Sequence, residues 1–502
     1  MSAFWLEYLP LAIILSSLLP GLIIFALKEH QVKLRITLNM LGAVVKLILV
    51  ILMLQAVKAG QIFFFSIPFL PGADLVLQGD ALSLLFVVLS SVLWLATTVY
   101  AIGYLENSPL RSRFFGYFSL CVSATVGLAL AGNLVTFLLF YELLTLATFP
   151  LVVHRGTAEA LSAGRRYLIY TVSGGLLIFI GVALLHSQLQ SPLFAPGGYI
   201  DGIITEQRWL LTITFCLMIA GFGVKAALLP LHGWLPQAMV APAPVSALLH
   251  AVAVVKAGAF GIIRLVYDVY GSDSMRQLQL AEPLMVLAAI TILYGSWRAL
   301  AQQDIKRRLA YSTISQVSYI TAGVAMLGPI AAVGGLVHLV HQGVMKITLF
   351  FCAGNFAETL GVHKIHQLNG AGRRMPLTSL AFTLGALGMI GIPPTAGFIS
   401  KWYLGVGAVE TDHPMMLLIF IFSGLLNAAY FLPILYRLWF VRQTTRWPAE
   451  RCLSKRFETH WTLLLPMLFT ALLIILMGLF ASTGVSPLSW AELIVGREFR
   501  YD

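Results

Sequence analysis

Six charged side chains sit deep inside apolar stretches of this 502-residue sequence: Glu142 and the lysines Lys46, Lys225, Lys256, Lys346 and Lys401. A charge at the centre of a bilayer costs roughly 2.5–3.5 kcal/mol on insertion scales, so a chain that keeps six is using most of them. Lysines beside a lone carboxylate can pass protons. Desolvation favours the neutral amine and a nearby carboxylate favours the ammonium, so the proton on each group depends on its neighbours. At an effective dielectric near 20 and roughly 7–10 Å, one charge biases another by about 2 kcal/mol, enough to push a proton along a row. Lys46, on the second apolar stretch, instead reads as a snorkelling residue.

Two of the lysines stand beside prolines that should break a helix. Lys225 lies in Gly221-Phe-Gly-Val-Lys-Ala-Ala-Leu-Leu-Pro230, with Pro236 soon after, and Lys401 follows Pro393-Pro394. Proline removes a backbone donor and clashes with the preceding turn, so both segments should be interrupted at membrane depth. Interrupted helices near the midplane line ion paths in transporters. A packing kink is the plainer reading of one such break; two, each with a lysine, weigh against it.

The histidines carry less information. His250 and His338 could relay protons, since imidazole titrates near neutral pH, or could be core residues. A two-histidine haem site drawn from His186, His250, His338 and His341 is a weaker alternative, because nothing in the sequence pairs them. The cysteines Cys121, Cys216, Cys352 and Cys452 are scattered without metal-ligand spacing and read as small buried hydrophobes. Phosphate loops and catalytic triads are absent from the sequence, and Ser246 and Ser400 have no visible base beside them.

These residues must be held by membrane helices. Hydrophobic residues make up 59% of the chain and charged residues 11%, against about a quarter in soluble domains. Runs of about 20 apolar residues predict fourteen spans, beginning near Phe4, Leu34, Leu82, Phe114, Leu134, Ala163, Trp209, Val245, Glu282, Leu309, Ala331, Leu377, Met415 and Trp461. The first lacks the flanks of a signal peptide and is expected to be retained. With the five buried lysines set aside, loops after odd-numbered spans hold 21 Lys and Arg and the other side 6. The odd loops are therefore expected in the cytoplasm and both termini outside. The net charge of +11 is topological, which argues against a nucleic-acid partner.

Spans four to eight (residues 111–266) and nine to thirteen (residues 281–437) form two units of five, each with its fourth helix broken. Five is odd, so the second unit must be inverted relative to the first. Residues 1–110 supply three preceding helices, and residues 438–502 a cytoplasmic loop and the fourteenth helix. The expected fold is all-α and polytopic.

The run from Pro230 to Lys256, Pro-Leu-His-Gly-Trp-Leu-Pro-Gln-Ala-Met-Val-Ala-Pro-Ala-Pro-Val-Ser-Ala-Leu-Leu-His-Ala-Val-Ala-Val-Val-Lys, resembles the signature of proton-translocating antiporter-like subunits. That family is shared by respiratory complex I, Mrp cation/proton antiporters and energy-converting membrane hydrogenases. Asp304-Ile-Lys-Arg-Arg-Leu-Ala-Tyr-Ser-Thr-Ile-Ser-Gln316, Asp80-Ala-Leu-Ser-Leu-Leu-Phe and the double proline before Lys401 are similar to it too, so the resemblance runs from about Asp80 to Lys401. It implies fourteen core helices, an inverted five-helix repeat and an external N-terminus in bacteria. It implies that Glu142 pairs with Lys225, that Lys256 or His250 takes the central position, that Lys346 continues the path, and that Lys401 ends it where some relatives carry glutamate. The long lateral C-terminal helix of some members is expected to be missing.

One departure stands out. The family commonly places histidines at i and i+4 and lysine at i+8 on one face of the eleventh helix. Here His338 is followed by Gln342 and Lys346, and the second histidine, His341, has moved to i+3. Glutamine does not titrate, so His341 is the candidate substitute.

The reading is a proton-translocating antiporter-like subunit of the bacterial or archaeal plasma membrane. It would have no cofactor or redox centre of its own, and its driving reaction or cation exchange would lie in partner membrane subunits of a complex I, hydrogenase or Mrp-type assembly. Sodium stays open as a second cargo. The alternative is a self-contained secondary cation/proton or solute transporter, which would want several buried carboxylates or a carbonyl cage. A scaffold with internally paired charges fails because one glutamate cannot neutralise five lysines.

Overall fold

Each predicted span is met by a helix in the computed structural model, which describes residues 3–70, 72–105, 108–190, 192–443, 446–451 and 458–499. Cys452, Lys455, Arg456 and Arg500 lie outside the described residues. The first six helices are α1 (Ala3–Ala26), α2 (Val32–Lys58), α3 (Ala81–Tyr104), α4 (Arg111–Ala129), α5 (Leu134–Val152) and α6 (Ala158–Leu189). There follow α7 (Ile204–Ala226), α8 (Ala243–Tyr270), α9 (Ala281–Leu300), α10 (Ile305–Ala325) and α11 (Pro329–Leu360). The twelfth is split into α12a (Pro376–Ile390) and α12b (Ala396–Glu410), ahead of α13 (Pro414–Trp439), α14 (Trp461–Leu479) and a short α15 (Pro487–Glu498).

Among the described residues, eleven helices are long and apolar enough to cross a membrane. The other three expected spans are α4, α10 and the split α12, and in the last two the shortfall has a local cause. Helix α10 carries Ser312, Thr313, Ser315, Gln316, Ser318 and Thr321, all buried against protein, and α12 is divided so that neither half is long enough. Several starts are fixed by short polar caps: Asp80 accepts from the Ser83 N–H, Asn133 from Thr136, Thr157 from Ala160 and Asp304 from Arg307.

Helices α8 and α11 form the centre, with every residue of their most apolar windows buried. Around them α2, α6 and α13 turn apolar side chains outward, among them Leu41, Ile48, Leu176, Phe179, Phe422 and Leu425, as a lipid-facing stripe requires. Polar side chains on the two central helices are therefore shielded from lipid.

Several details depart from the sequence reading. A two-stranded antiparallel hairpin, β1 (Phe63–Leu70) and β2 (Ala73–Gly79), lies between α2 and α3 and is docked by Gln78 N–H to Leu130 O at 2.6 Å. Lys46 does not snorkel; it is 0% exposed, donates to Ser17 Oγ at 2.5 Å and lies 4.7 Å over the Trp94 ring. Cys216 is exposed where a buried residue was expected. Glu142 is not alone among acidic residues in the protein interior, since Asp80 and Asp268 are buried too. Both pair with Arg264, at 2.8 and 2.7 Å. That arginine, one of the six Lys and Arg counted from sequence in loops on the outer side, sits inside α8 because its two carboxylates satisfy it there.

Candidate functional site

Glu142 on α5 and Lys225 on α7 lie within electrostatic range of each other. They form no salt bridge. The Lys225 ammonium donates to Tyr141 O at 2.5 Å and sits 3.3 Å from the centre of the Tyr141 ring. The carboxylate is accommodated by Gly175 on α6, where a Cβ would collide with Glu142 Oε1. The lysine is fully buried and the carboxylate only half-buried.

Helix α7 ends one residue after Lys225, with Ala227 at a φ of 57°. The freed backbone is satisfied by protein: Trp234 Nε1 donates to Val224 O at 2.7 Å and the Leu229 N–H to Thr291 Oγ1 at 3.1 Å. Pro230 lies in the break. Pro236 does not; it falls inside a new helical turn, Trp234–Gln237.

Helix α8 packs onto this break through Gly258, where a Cβ would collide with the backbone N of Ala226. Its Lys256 donates to Leu339 O on α11 at 2.7 Å and lies within electrostatic range of His338 and Lys346. Sequence reasoning missed that α8 is itself irregular. A π-turn spans Leu248–Val252, centred on His250, and Ala253 leaves helical geometry with φ −121° and ψ −84°. Such turns frequently mark functional sites. Neither ring nitrogen of His250 has a protein partner among the described residues; its ring centre lies 4.7 Å from that of Phe350, and Lys346 and Lys306 are its charged neighbours.

The residues of α11 divide between two neighbours rather than stacking on one face. His338 Nδ1 shares a 2.8 Å hydrogen bond with Ser400 Oγ on α12b, and His341 lies beside the backbone of Ala396 at the start of the same helix. Lys346 turns to α10, donating to Ser312 Oγ at 2.7 Å and Leu309 O at 3.1 Å. The buried Gln342 amide finds no protein partner among the described residues.

Lys401 caps the broken end of α12a. Its ammonium donates to Met389 O at 2.7 Å and Ile390 O at 3.0 Å, where a cation also meets the negative end of the helix dipole. Pro393 and Pro394 lie in the break, which opens at Gly391 with a φ of 96°. The ring of Tyr319 is shared: His338 stacks on it at 5.4 Å and Lys401 lies 5.5 Å from its centre. The two breaks differ, since Lys225 precedes its own and Lys401 follows.

The structure thus brings the buried Lys256, His338 and Lys346 and the half-buried Lys401 into one cluster, with Glu142 and Lys225 adjoining through α7 and α8. Tyr141, Ser312, Tyr319, Asn427 and Tyr430 also belong to it and were not singled out from sequence; Ser400, which the sequence left without a base, belongs to it through its bond with His338. A signal for some existed: Ser423, Asn427 and Tyr430 fall at i, i+4 and i+7 in α13, which is otherwise apolar up to Leu435. On the face of the odd-numbered loops, a cleft of about 490 Å³ is lined by Arg155, Lys306 and His363. Lys306 reaches from it to Ala241 O at 2.6 Å.

Residues 131–427 match the family described as "NADH:quinone oxidoreductase/Mrp antiporter, TM". The chain is 34% identical over 427 residues to NADH-quinone oxidoreductase subunit N of Desulforudis audaxviator, covering 83% of each. It is 34% identical over 345 residues to the hydrogenase-4 component B of Escherichia coli, covering 66% of this chain and 50% of that one, and so spans half of the longer protein. In fold it is similar to a chain of the Mrp complex from Dietzia sp. DQ12-45-1b, with a TM-score of 0.86 at 21% identity, covering 99% of this chain and 98% of the other.

Proposed function

The chain belongs to the NADH:quinone oxidoreductase/Mrp antiporter family of membrane subunits, and from that premise we propose that it moves protons along Glu142, Lys225, Lys256 with His250, His338 with His341, Lys346 and Lys401. The observation that carries this reading is the 2.7 Å bond from Lys256 to Leu339 O. It ties α8 to α11 beside His338, in the two helices buried along their whole apolar windows, where an unused charge would be selected against.

Residues 111–266 and 281–437 act as inverted repeats in this reading, preceded by helices 1–110 and followed by 438–502. An interruption in the fourth helix of each supports it, though α8 and α13 run on to Tyr270 and Trp439. The odd-numbered loops face the cytoplasm of a bacterial or archaeal cell and both termini face outward, so the cleft at Lys306 and His363 is the cytoplasmic mouth. The driving reaction or cation exchange resides in partner subunits of a complex I, hydrogenase or Mrp-type assembly.

The test is proton movement by the intact complex, purified through this chain and reconstituted in vesicles. Lys256→Met should stop it while the complex still assembles. Wild-type proton movement in that variant would remove α8 from the path.

A further inference from the structure

A hydrogen-bonded bridge joins Lys346 to Lys401 through side chains that no step above uses. Lys346 Nζ lies 2.7 Å from Ser312 Oγ on α10, Ser312 Oγ is 2.8 Å from the Tyr430 hydroxyl on α13, and that hydroxyl is 2.5 Å from Asn427 Oδ1. The other end of the same amide closes the bridge: Asn427 Nδ2 donates at 3.1 Å to Met389 O, which also accepts from Lys401 at 2.7 Å. Ser312, Tyr430 and Asn427 are all 0% exposed.

The donor inventory fixes the direction of the bridge. An ammonium only donates, and a hydroxyl has one hydrogen to give. The Tyr430 hydroxyl is placed to donate either to Ser312 Oγ or to Asn427 Oδ1 and has one hydrogen for the two. With Lys346 protonated, Ser312 accepts from the ammonium and keeps its own hydrogen for Tyr430, so the Tyr430 hydrogen goes to Asn427 Oδ1. The amide then presents its NH₂ to Met389 O, whose two lone pairs serve Asn427 and Lys401 together. A neutral Lys346 offers a lone pair instead, so Ser312 can turn its hydrogen towards it. Tyr430 is then free to swing away from Asn427, and the amide is no longer held against the carbonyl that caps Lys401.

We propose that Tyr430 and Asn427 are positioning residues that report the charge of Lys346 to Lys401 by reversing the direction of this bridge, a reading that rests on the lysine row being the proton path. An amide does not pass a proton on by simple titration, so the bridge transmits hydrogen-bond direction while the proton takes another route. His338, bonded to Ser400 beside Lys401, offers one.

The reconstituted complex tests this with Tyr430→Phe, Asn427→Leu, Ser312→Ala and Ser312→Thr, alongside Lys256→Met as the test of the row. The first three should lower the rate of proton movement at least fivefold with assembly and thermal midpoint near wild type, whereas Ser312→Thr, which keeps the hydroxyl, should restore most of the rate. Should Tyr430→Phe or Asn427→Leu fail to assemble, the Ser312 pair decides alone. Near-wild-type rates in Tyr430→Phe, Asn427→Leu and Ser312→Ala, with Lys256→Met inactive, overturn the bridge and leave the row standing. Equal loss in Ser312→Ala and Ser312→Thr also overturns it, since packing and not the hydroxyl would then matter. Full activity in all of them, Lys256→Met included, removes both readings.

Discussion

Lys225 and Glu142 are held close without touching as an ion pair: the ammonium is bonded to Tyr141 O at 2.5 Å, one residue short of the carboxylate it would be expected to seek. A closed pair would trap both charges, because separating an ion pair in a low-dielectric site is expensive. The observed arrangement keeps each charge sensitive to the other. Small motions of α5 against α7 can then open or close the pair.

Replacement of either partner should therefore stop coupled transport. Glu142→Gln and Lys225→Ala should each reduce proton movement by roughly tenfold or more, the effect of about 1.4 kcal/mol of lost coupling, with the complex still assembled. Proteoliposomes in which either variant pumps normally would dismiss this pair as the gate.

His341 and Gln342 separate two accounts of the eleventh helix. The ring of His341 lies beside Ala396, on the side of α12b that also receives His338, so His341→Ala should slow transport by several-fold. Adding Gln342→His to that variant should recover part of the loss, because it restores a titratable group one residue further on. Unchanged rates in His341→Ala would mark it as a packing residue.

Lys401 has two separable duties, capping α12a and exchanging a proton. Lys401→Arg keeps donors for Met389 O and Ile390 O but cannot release a proton; it should assemble normally and transport poorly. Lys401→Glu can exchange a proton although its carboxylate faces the negative end of a helix, and should retain more activity than Lys401→Met. Wild-type rates in the arginine variant would leave capping as the whole role of this lysine.

Lys46 tests the opposite case, a buried lysine outside the row. Its neighbours are Ser17 and the Trp94 ring, with no carboxylate in salt-bridge contact among the described residues. Lys46→Met has similar length and removes a desolvated charge, so it should raise stability by on the order of 2 kcal/mol and leave proton movement intact. A lower thermal midpoint together with lost transport would bring Lys46 into the mechanism.

The helices, their number and the two breaks were legible in the sequence because bilayer thickness sets span length and proline acts locally on the backbone. The lysines were legible for a related reason: a charge inside an apolar run is conspicuous whatever surrounds it. Their partners were not. Lys225 bonds a carbonyl of α5 and Lys256 one of α11, while Lys346 meets α10 and Lys401 closes on α12a. The reach of Arg264 from α8 to Asp80 and the contact of Ser312 with Tyr430 depend on which helices lie side by side. A hydrogen bond is decided within about 3 Å, and residues that share one here can stand far apart in the chain, by 34 positions for Lys346 and Ser312, 83 for Lys256 and Leu339 and 118 for Ser312 and Tyr430. Local spacing therefore identifies the charges, and only the packing of α8, α10, α11, α12 and α13 decides which of them can feel one another.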